Sequence, residues 1–598
     1  MYFIEQILDE IKQKLEQLFP ENKDIISIKR TTDPNFGDFY TNIAFILAKK
    51  EKKNPNEIAS YIKNNLEIPG VSIDIVKGFV NFILDPGVFV DEVIKEILEK
   101  KDYGFSNEGQ GRLVVIEHTS ANPNKPLHLG HVRCAVIGDS LVRLYRAFGH
   151  RLDIQFYVND LGRQVAESFY GWKYLKNKEI KKEKFDWFLG EIYTYVHNNV
   201  EEDRIDEVLR KIEDIDSEDY KDLREMVELC LECQLKSLEQ LGIYFDRLVF
   251  ESDLVRCSVF EETKNLLIEK GYLMLVTKEK NIRIKKQGKY VDPSEYKGCY
   301  ILKLEDFGFD DLVFIRSNGV ATYTARDIAY ALWKLGIIKD KIKFRKKDYV
   351  FVSNIEGEDF VINDPYMAIS VIANEQDYAQ GIVKTAIGMI DPNRAKKYLH
   401  IPFGLVQRKD IKLSSRKGTW KGFTIYDIFE LLDNVLKDSI PDNDKRRSIV
   451  SSVIRYELLK YEQKENIKID PKEMTDINGN TAIYLLYAYV RAVNILNKMG
   501  EFKPETKIYE QIKNEKESIE LIKKFLFLPL VLKNCLKENS VKPICDYMFE
   551  ISRLFNHWYT LYPVIKENSI PRATIVLCFK KILENLFNII GIEPVDRL

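Results

Sequence analysis

RLVVIEHTSANPNKPLHLGHVRCAVIGDSLVRLYRAFGHRLDIQFYVND, residues 112–160, sets the reading of the whole chain. Arg112–Ser120 is an apolar, Val- and Ile-containing run of strand length. A loop with Pro, Asn and His follows, then a helical pattern from about Gly130 to Gly149, and Asp153–Asp160 is a second strand. Strand, helix, strand at this spacing opens a parallel, doubly wound sheet.

Working outward, residues 1–105 form a smaller α/β unit. It holds an amphipathic N-terminal helix, helical patterns at Asn42–Lys52 and Asn56–Asn65, and the strand-like VSIDIVKGFVNFIL (Val71–Leu84). Asn54-Pro55 supplies a cap and a first-turn proline to the second of those helices. Residues 106–420 form a Rossmann-type domain with two insertions, a charge-alternating helical one at about 165–247 and one of strands and turns at about 272–312. Strand-helix alternation is expected to resume at Leu312, and KFRKKD (Lys343–Asp348) to be a solvated turn. A connector at 421–465 leads into a helical bundle at 466–598, with its clearest helices at Asn480–Lys498 and Ile544–Ile565. The expected fold class is multidomain α/β plus all-α.

A chain of 598 residues is too long for one core. With 45% hydrophobic and 30% charged residues it is neither disordered nor collagen-like nor a disulfide scaffold. Ninety Lys and Arg against 92 Asp and Glu leave a formal charge of -2, so nucleic acid would have to be met through local patches rather than bulk charge. The N-terminal segment lacks the basic-then-apolar layout of a signal peptide, and no run of ~18 uncharged apolar residues occurs. Eight irregularly spaced Cys fit a reduced compartment. A cytoplasmic monomer without a membrane partner is expected. Cys230 and Cys233 sit in a helical run with no second Cys or His pair nearby, so they read as packed helix cysteines, and no zinc or other metal held by protein side chains is predicted.

The loop Ser120–Arg133 ends in His128-Leu129-Gly130-His131 at the start of the predicted helix. A helix N-terminus offers free N–H groups and a positive dipole to phosphate. Gly130 would let the backbone approach a nucleotide, and the two imidazoles can donate to phosphate oxygens as charge develops. Far downstream, KDIKLSSRKGTW (Lys409–Trp420) is a loop dense in Lys, Ser and Gly. By itself it is a surface loop; paired with the His motif it becomes a cationic loop over a triphosphate.

Together the two loops resemble the HIGH and KMSKS motifs of class I aminoacyl-tRNA synthetases. Residues 116–150, with the lead-in Asn122-Pro123-Asn124-Lys125-Pro126, resemble the arginyl-tRNA synthetase family. So do Leu241–Ser252, Ser317–Leu332, Asn374–Gln380, Tyr487–Leu496 and, near the N-terminus, GDFYTNIAFILAKK. The resemblance implies ATP-dependent activation of L-arginine and its transfer to the 3′ end of tRNA(Arg), with Mg²⁺ carried on ATP, and arginine activation only once tRNA is bound. It implies that His128, Gly130, His131 and Lys412 bind ATP, and that Lys125, Ser414 and Lys417 join His128, His131 and Lys412 in catalysis. Ser415 stands where the second KMSKS lysine is usual, so Lys125 or Lys417 is expected to supply that charge, Lys125 being favoured because its loop is fixed to the sheet. By motif position Glu251 and Asp327 bind the guanidinium and Tyr323 walls it. Ser120, Asn122 and Gln376 hold the α-amino and α-carboxylate end, and Glu117 steadies that shell. A planar, always charged guanidinium is indeed best held by carboxylates. Asn81 and Phe82 are either contacts for a tRNA loop or strand packing. Tyr489, Trp558 and Tyr559 either stack on unpaired bases or fill the bundle core.

Overall fold

The computed structural model describes residues 1–31, 33–175, 184–214, 217–277, 283–339, 342–354, 356–409, 420–567 and 569–597. The sheet foreseen at residues 112–160 has eight strands: β1 (Leu113–Glu117), β2 (Arg151–Val158), β3 (Arg247–Phe250), β4 (Ile342–Lys347), β5 (Val350–Ser353), β6 (Glu358–Phe360), β7 (Met367–Ala373) and β8 (Tyr398–Phe403). Their spatial order is β6-β4-β5-β3-β2-β1-β7-β8. From β5 to β8 all neighbours are parallel, while β4 pairs antiparallel with both β5 and β6.

β1 reads as an unbroken apolar run because both its faces are covered: Val114 and Ile116 belong to one core and Val115 to the other. After β1 the chain crosses by α1 (Leu129–Ala147) to β2 and β3 on one side, and later returns through β7 and β8 on the other. The C-terminal ends of β1 and β7 therefore border a topological switch point, the crevice where such sheets take their ligands.

Four differences from the expected layout have local causes. Leu312–Ile315 pairs with Tyr300–Leu302 in a three-stranded antiparallel sheet with Leu273–Leu275, so the second insertion runs past 312 and the main domain resumes with helix α2 (Tyr323–Lys334). Lys343–Lys347 is not a turn but part of β4, whose Ile342 and Phe344 point inward between exposed lysines; the reversal comes at Asp348, with φ +54°. Val71–Leu84 is a hairpin, Val71–Val76 against Phe79–Leu84, turning at Lys77 and Gly78, both of positive φ. Finally, Ile467–Ile469 pairs in parallel with Val406–Arg408, so the stretch from 466 is tied to the catalytic side and the bundle's helices start at Ala482.

The helical insertion has helices at Arg163–Tyr174, Phe185–Asn199, Glu202–Glu213 and Glu218–Glu239. Cys230 and Cys233 are buried free thiols of the last of these. No helix among the described residues is long and apolar enough to cross a membrane.

One guanidinium joins the parts. Arg455, on α3 (Asn443–Leu459), is fully buried. Its Nε donates to the Ile590 carbonyl (2.7 Å), Nη1 to the Leu241 carbonyl (2.8 Å), and Nη2 pairs with Asp139 of α1 (2.5 Å). Gly591, at φ +70°, leaves the room it occupies, since a Cβ there would collide with the guanidinium. Asp139 is also paired with Arg143 (2.7 Å), so replacing Arg455 by Met leaves that carboxylate one cation and removes the donors to the Ile590 and Leu241 carbonyls, at a cost of about 1–3 kcal/mol. The expected outcome is a lowered urea midpoint of unfolding, and Asp139→Asn in the same chain should lower it further, because it also takes the partner of Arg143.

Candidate active site

At the phosphate end, the His128 ring is itself the cap of α1. Its Nδ1 accepts from the backbone N–H of Gly130 (3.1 Å) and His131 (3.3 Å), and His131 Nδ1 accepts from His128 N (3.4 Å). The rings stack at 3.6 Å between centroids. Since both Nδ1 atoms accept, each ring carries its proton on Nε2 and offers that N–H outward. Burial, helped by the Lys125 charge, pushes the His128 imidazolium down to about 4. His131 is held well below its ordinary value by burial, His128 and Lys125. Both are neutral donors at physiological pH. Gly130 is explained differently from the expectation: a Cβ there would lie 2.9 Å from His128 Cε1, so the glycine makes room for the capping ring. Lys125 is half-buried, with Nζ 5.3 Å from the Tyr193 ring centroid and no carboxylate partner among the described residues. Lys412, Ser414, Ser415 and Lys417 lie outside the described residues.

At the other end of the crevice, β1 closes with Glu117, buried and ion-paired with the equally buried Lys334 of α2. Ser370 of β7 donates to Glu117 Oε2 (2.9 Å) and accepts from Lys334 Nζ (2.7 Å), while Ser120 Oγ donates to Glu117 Oε1 (3.0 Å). Thr119 and Ser120 both take positive φ (+74° and +39°), a strained conformation for non-glycine residues that turns the loop sharply after β1. Asn122 Nδ2 donates to Gln164 (3.0 Å). Gln376 is exposed at the end of a short turn directly after β7.

Glu251 opens the helix after β3 and is fully buried, with Arg326 Nη1 3.0 Å from its Oε1. Burial pushes its carboxyl up, and Arg326 opposes that. Asp327, next to Arg326 on α2, has no ion-pair partner among the described residues. Burial first, and then the Glu117 charge, push its carboxyl up to about 7, with Lys334 and Arg326 pulling the other way. Tyr323, 56% exposed, begins α2 and rests its hydroxyl over Gly162, where a Cβ would collide with it and where φ is +103°. Asp327 feels Glu117, and Glu251 feels Asp327, so the carboxylates named from the sequence share one electrostatic neighbourhood.

Two members of this site went unread in the sequence. Lys334 lies seven residues, two helical turns, beyond Asp327 on the same face, and that spacing was the available signal. Arg326 adjoins Asp327 and carried no signal of its own.

Other expected contacts are relocated. Phe82 (0% exposed) lies in the N-terminal core, and Trp558 (0%) lies in the bundle core with Nε1 donating to Ser518 (2.7 Å). Tyr489 is buried with its hydroxyl on Glu584 (2.7 Å). None of these rings presents a face to a base. Asn81 lies on the outer face of its sheet, buried between exposed Phe79 and Ile83, and its Nδ2 has no hydrogen-bond partner. Tyr559 is half-buried, 5.9 Å from Arg491, which also bonds Asn556 (2.6 Å) and the exposed Tyr487 hydroxyl (2.9 Å).

Comparison with known proteins agrees with this geometry along the chain. Family models described as arginyl tRNA synthetase N terminal domain, tRNA synthetases class I (R) catalytic domain, and DALR anticodon binding domain match residues 5–84, 93–453 and 485–598. The arginine–tRNA ligase of Pyrococcus abyssi is 33% identical, covering 99% of this chain and 98% of its own; that of Deinococcus radiodurans is 29% identical, covering 95% of each. The solved arginyl-tRNA synthetase of Thermus thermophilus superposes with a TM-score of 0.82 at 25% identity, over the full length of both chains. A nucleotide-binding doubly wound sheet with a His-capped helix at its switch point, carrying this catalytic-domain signature, defines a class I aminoacyl-tRNA synthetase. Within that class, the chain belongs to the arginyl-tRNA synthetase family, the arginine–tRNA ligases.

Asp327 gives the amino-acid end a pH signature. Below pH about 7 its carboxyl is protonated in the free protein, and binding a cation must expel that proton. The KM for arginine should therefore rise as pH falls from 8 to 6, by up to about tenfold per unit for one coupled proton. Steady-state kinetics of Asp327→Asn should show weaker arginine binding with a reduced slope over this range, Glu251, pushed up to about 8 by burial, being the group that still titrates there.

Proposed function

We propose that the chain makes arginyl-tRNA in two steps at this crevice, and the observation that carries the reading is Asp327. It is a half-buried carboxylate with no ion-pair partner among the described residues, in the same crevice as a helix N-terminus equipped with neutral donors. A guanidinium meets Asp327 with Tyr323 as its wall, and Glu251, held by Arg326, shares that electrostatic neighbourhood. An apolar side chain in the same place would leave the carboxylate unpaired, which is how a site of this kind rejects other amino acids. Ser120, Asn122 and Gln376, at the ends of β1 and β7, take the α-amino and α-carboxylate groups. Glu117 is held by Lys334 and Ser370, so it steadies that loop from behind.

ATP enters as its Mg²⁺ complex. The groups around the His128 helix start are neutral or cationic donors, suited to phosphate oxygens rather than to a metal, so the ion is held by the triphosphate and water. The arginine carboxylate attacks the α-phosphorus in line and pyrophosphate leaves. The Nε2–H groups of His128 and His131, the α1 N-terminus and Lys125 stabilise the charge that moves onto it, a task shared, by motif, with Lys412, Ser414 and Lys417. The terminal ribose hydroxyl of tRNA(Arg) then attacks the adenylate carbonyl and AMP leaves.

For tRNA, Asn81 with Phe79 on the outer N-terminal sheet, and Tyr559 with Tyr487 and Arg491 on the bundle, are the surfaces fitted to splayed bases. The eight cysteines, none of them in a disulfide, suit a reduced cytoplasm.

Arginine-dependent ATP–pyrophosphate exchange tests the reading. Exchange is expected with tRNA(Arg) present, and its absence in every condition would overturn the activity, whereas exchange without tRNA would overturn only the tRNA-first order. Glu251→Ala should raise the arginine KM far more than the ATP KM; equal effects would remove its role at the guanidinium. Lys125→Ala should slow adenylate formation more than Lys417→Ala does, and the reverse order would transfer the missing charge to Lys417.

A further inference from the structure

Lys125 poses a mechanical problem. An ammonium without a carboxylate partner, beside the positive end of a helix, is repelled from where it stands, so its backbone must be held there by other contacts. Those contacts come from the helical insertion. Gln234, on Glu218–Glu239, is buried, and its single Nε2 donates to the carbonyls of both Asn122 (3.2 Å) and Lys125 (2.9 Å), clipping the loop between them. The helix Phe185–Asn199 closes the side. A Cβ on Gly190 would lie 3.2 Å from Lys125 Cβ and 2.8 Å from the Trp420 ring, so its backbone is wedged between the two. The indole is fixed in turn: Nε1 donates to Thr194 Oγ1 (3.1 Å), Trp187 packs edge-on at 4.8 Å, and neighbouring Lys421 pairs with Glu191 (2.9 Å). Beyond Trp420 the chain bonds straight back to the His motif, Leu129 N to Phe423 O and Ile425 N to Leu127 O, both 2.9 Å. Tyr193, on the same helix as Gly190, faces the ammonium.

We propose that the helical insertion positions Lys125 against the leaving pyrophosphate, with Gln234 and Trp420 as the positioning residues through which it acts. This rests on the reading of Lys125 as a phosphate-facing cation. Gln234→Met keeps the length and loses both hydrogen bonds; Trp420→Ala removes the wedge; Trp420→Phe keeps a ring and loses the N–H. The test is arginine-dependent ATP–pyrophosphate exchange by the full chain with tRNA(Arg), normalised to active sites. Gln234→Met and Trp420→Ala should lower kcat by about tenfold or more while leaving the arginine KM within about twofold, because displacement of a charge by an ångström is felt in the transition state and not at the amino-acid pocket. Trp420→Phe should recover much of the loss. In a Lys125→Ala background, Gln234→Met should add nothing further. Losses that multiply in the double variant, or a matching rise in arginine KM, overturn the proposal while leaving Lys125 in place. A Lys125→Ala enzyme at full rate overturns the Lys125 reading itself and the proposal with it. If Gln234→Met does not fold, Thr194→Val, which removes the acceptor of the indole together with the hydroxyl's own bond to the Gly190 carbonyl, is tested in the same cycle with the same two outcomes.

Discussion

The buried ion pair between Glu117 and Lys334 is the constraint on which the site depends. It joins the end of β1 to the last turn of α2 and, through Ser370, to β7, across the switch point of the sheet. Two charges taken out of water are tolerable only if each is fully partnered. Here Ser120 and Ser370 complete the carboxylate, and the ammonium also faces the Tyr330 ring at 4.3 Å. A second layer follows, with the Tyr398 hydroxyl donating to Gln380 (2.7 Å). Because α2 is pinned at its C-terminal end, its N-terminal turns carry Tyr323, Arg326 and Asp327 to the crevice in a fixed orientation.

This pinning also sets the charge of the pocket. Glu117 is cancelled by Lys334 and Glu251 faces Arg326, which leaves Asp327 as the surplus negative group. A pocket with two unmatched buried carboxylates would protonate instead of binding, and one with none would have no preference for a cation. The internal arginine and lysine thus act as ballast.

The sequence showed a good part of this. The alternation of strand and helix across residues 112–160, the place of the His128 motif at a helix start and the acidic residues at Glu251 and Asp327 were all visible in it, but not that the His128 ring caps that helix. The limits were physical. Lys334 closes an apolar helix and reads as an ordinary last-turn lysine until the partner strand is in place. Alternation in Phe79–Leu84 separates Phe79, Asn81 and Ile83 from Val80, Phe82 and Leu84, but only the helices packed on one side decide which set faces outward. The same holds for the bundle, where Trp558 and Tyr559 are adjacent in sequence and opposite in environment. In β4 the lysines masked a strand because only two of its positions, Ile342 and Phe344, face inward.

Helix α1 has 19 residues and so a length of about 28 Å. One end of it is the pair of stacked imidazoles, while its Asp139 is gripped by Arg455, which in turn holds the carbonyl of Ile590 at the end of the last bundle helix. The bundle and the stacked rings are thus fastened to a single stiff beam rather than joined only through loops. Any tilt imposed on the bundle loads that beam directly and is felt at its other end, where the two imidazoles stand.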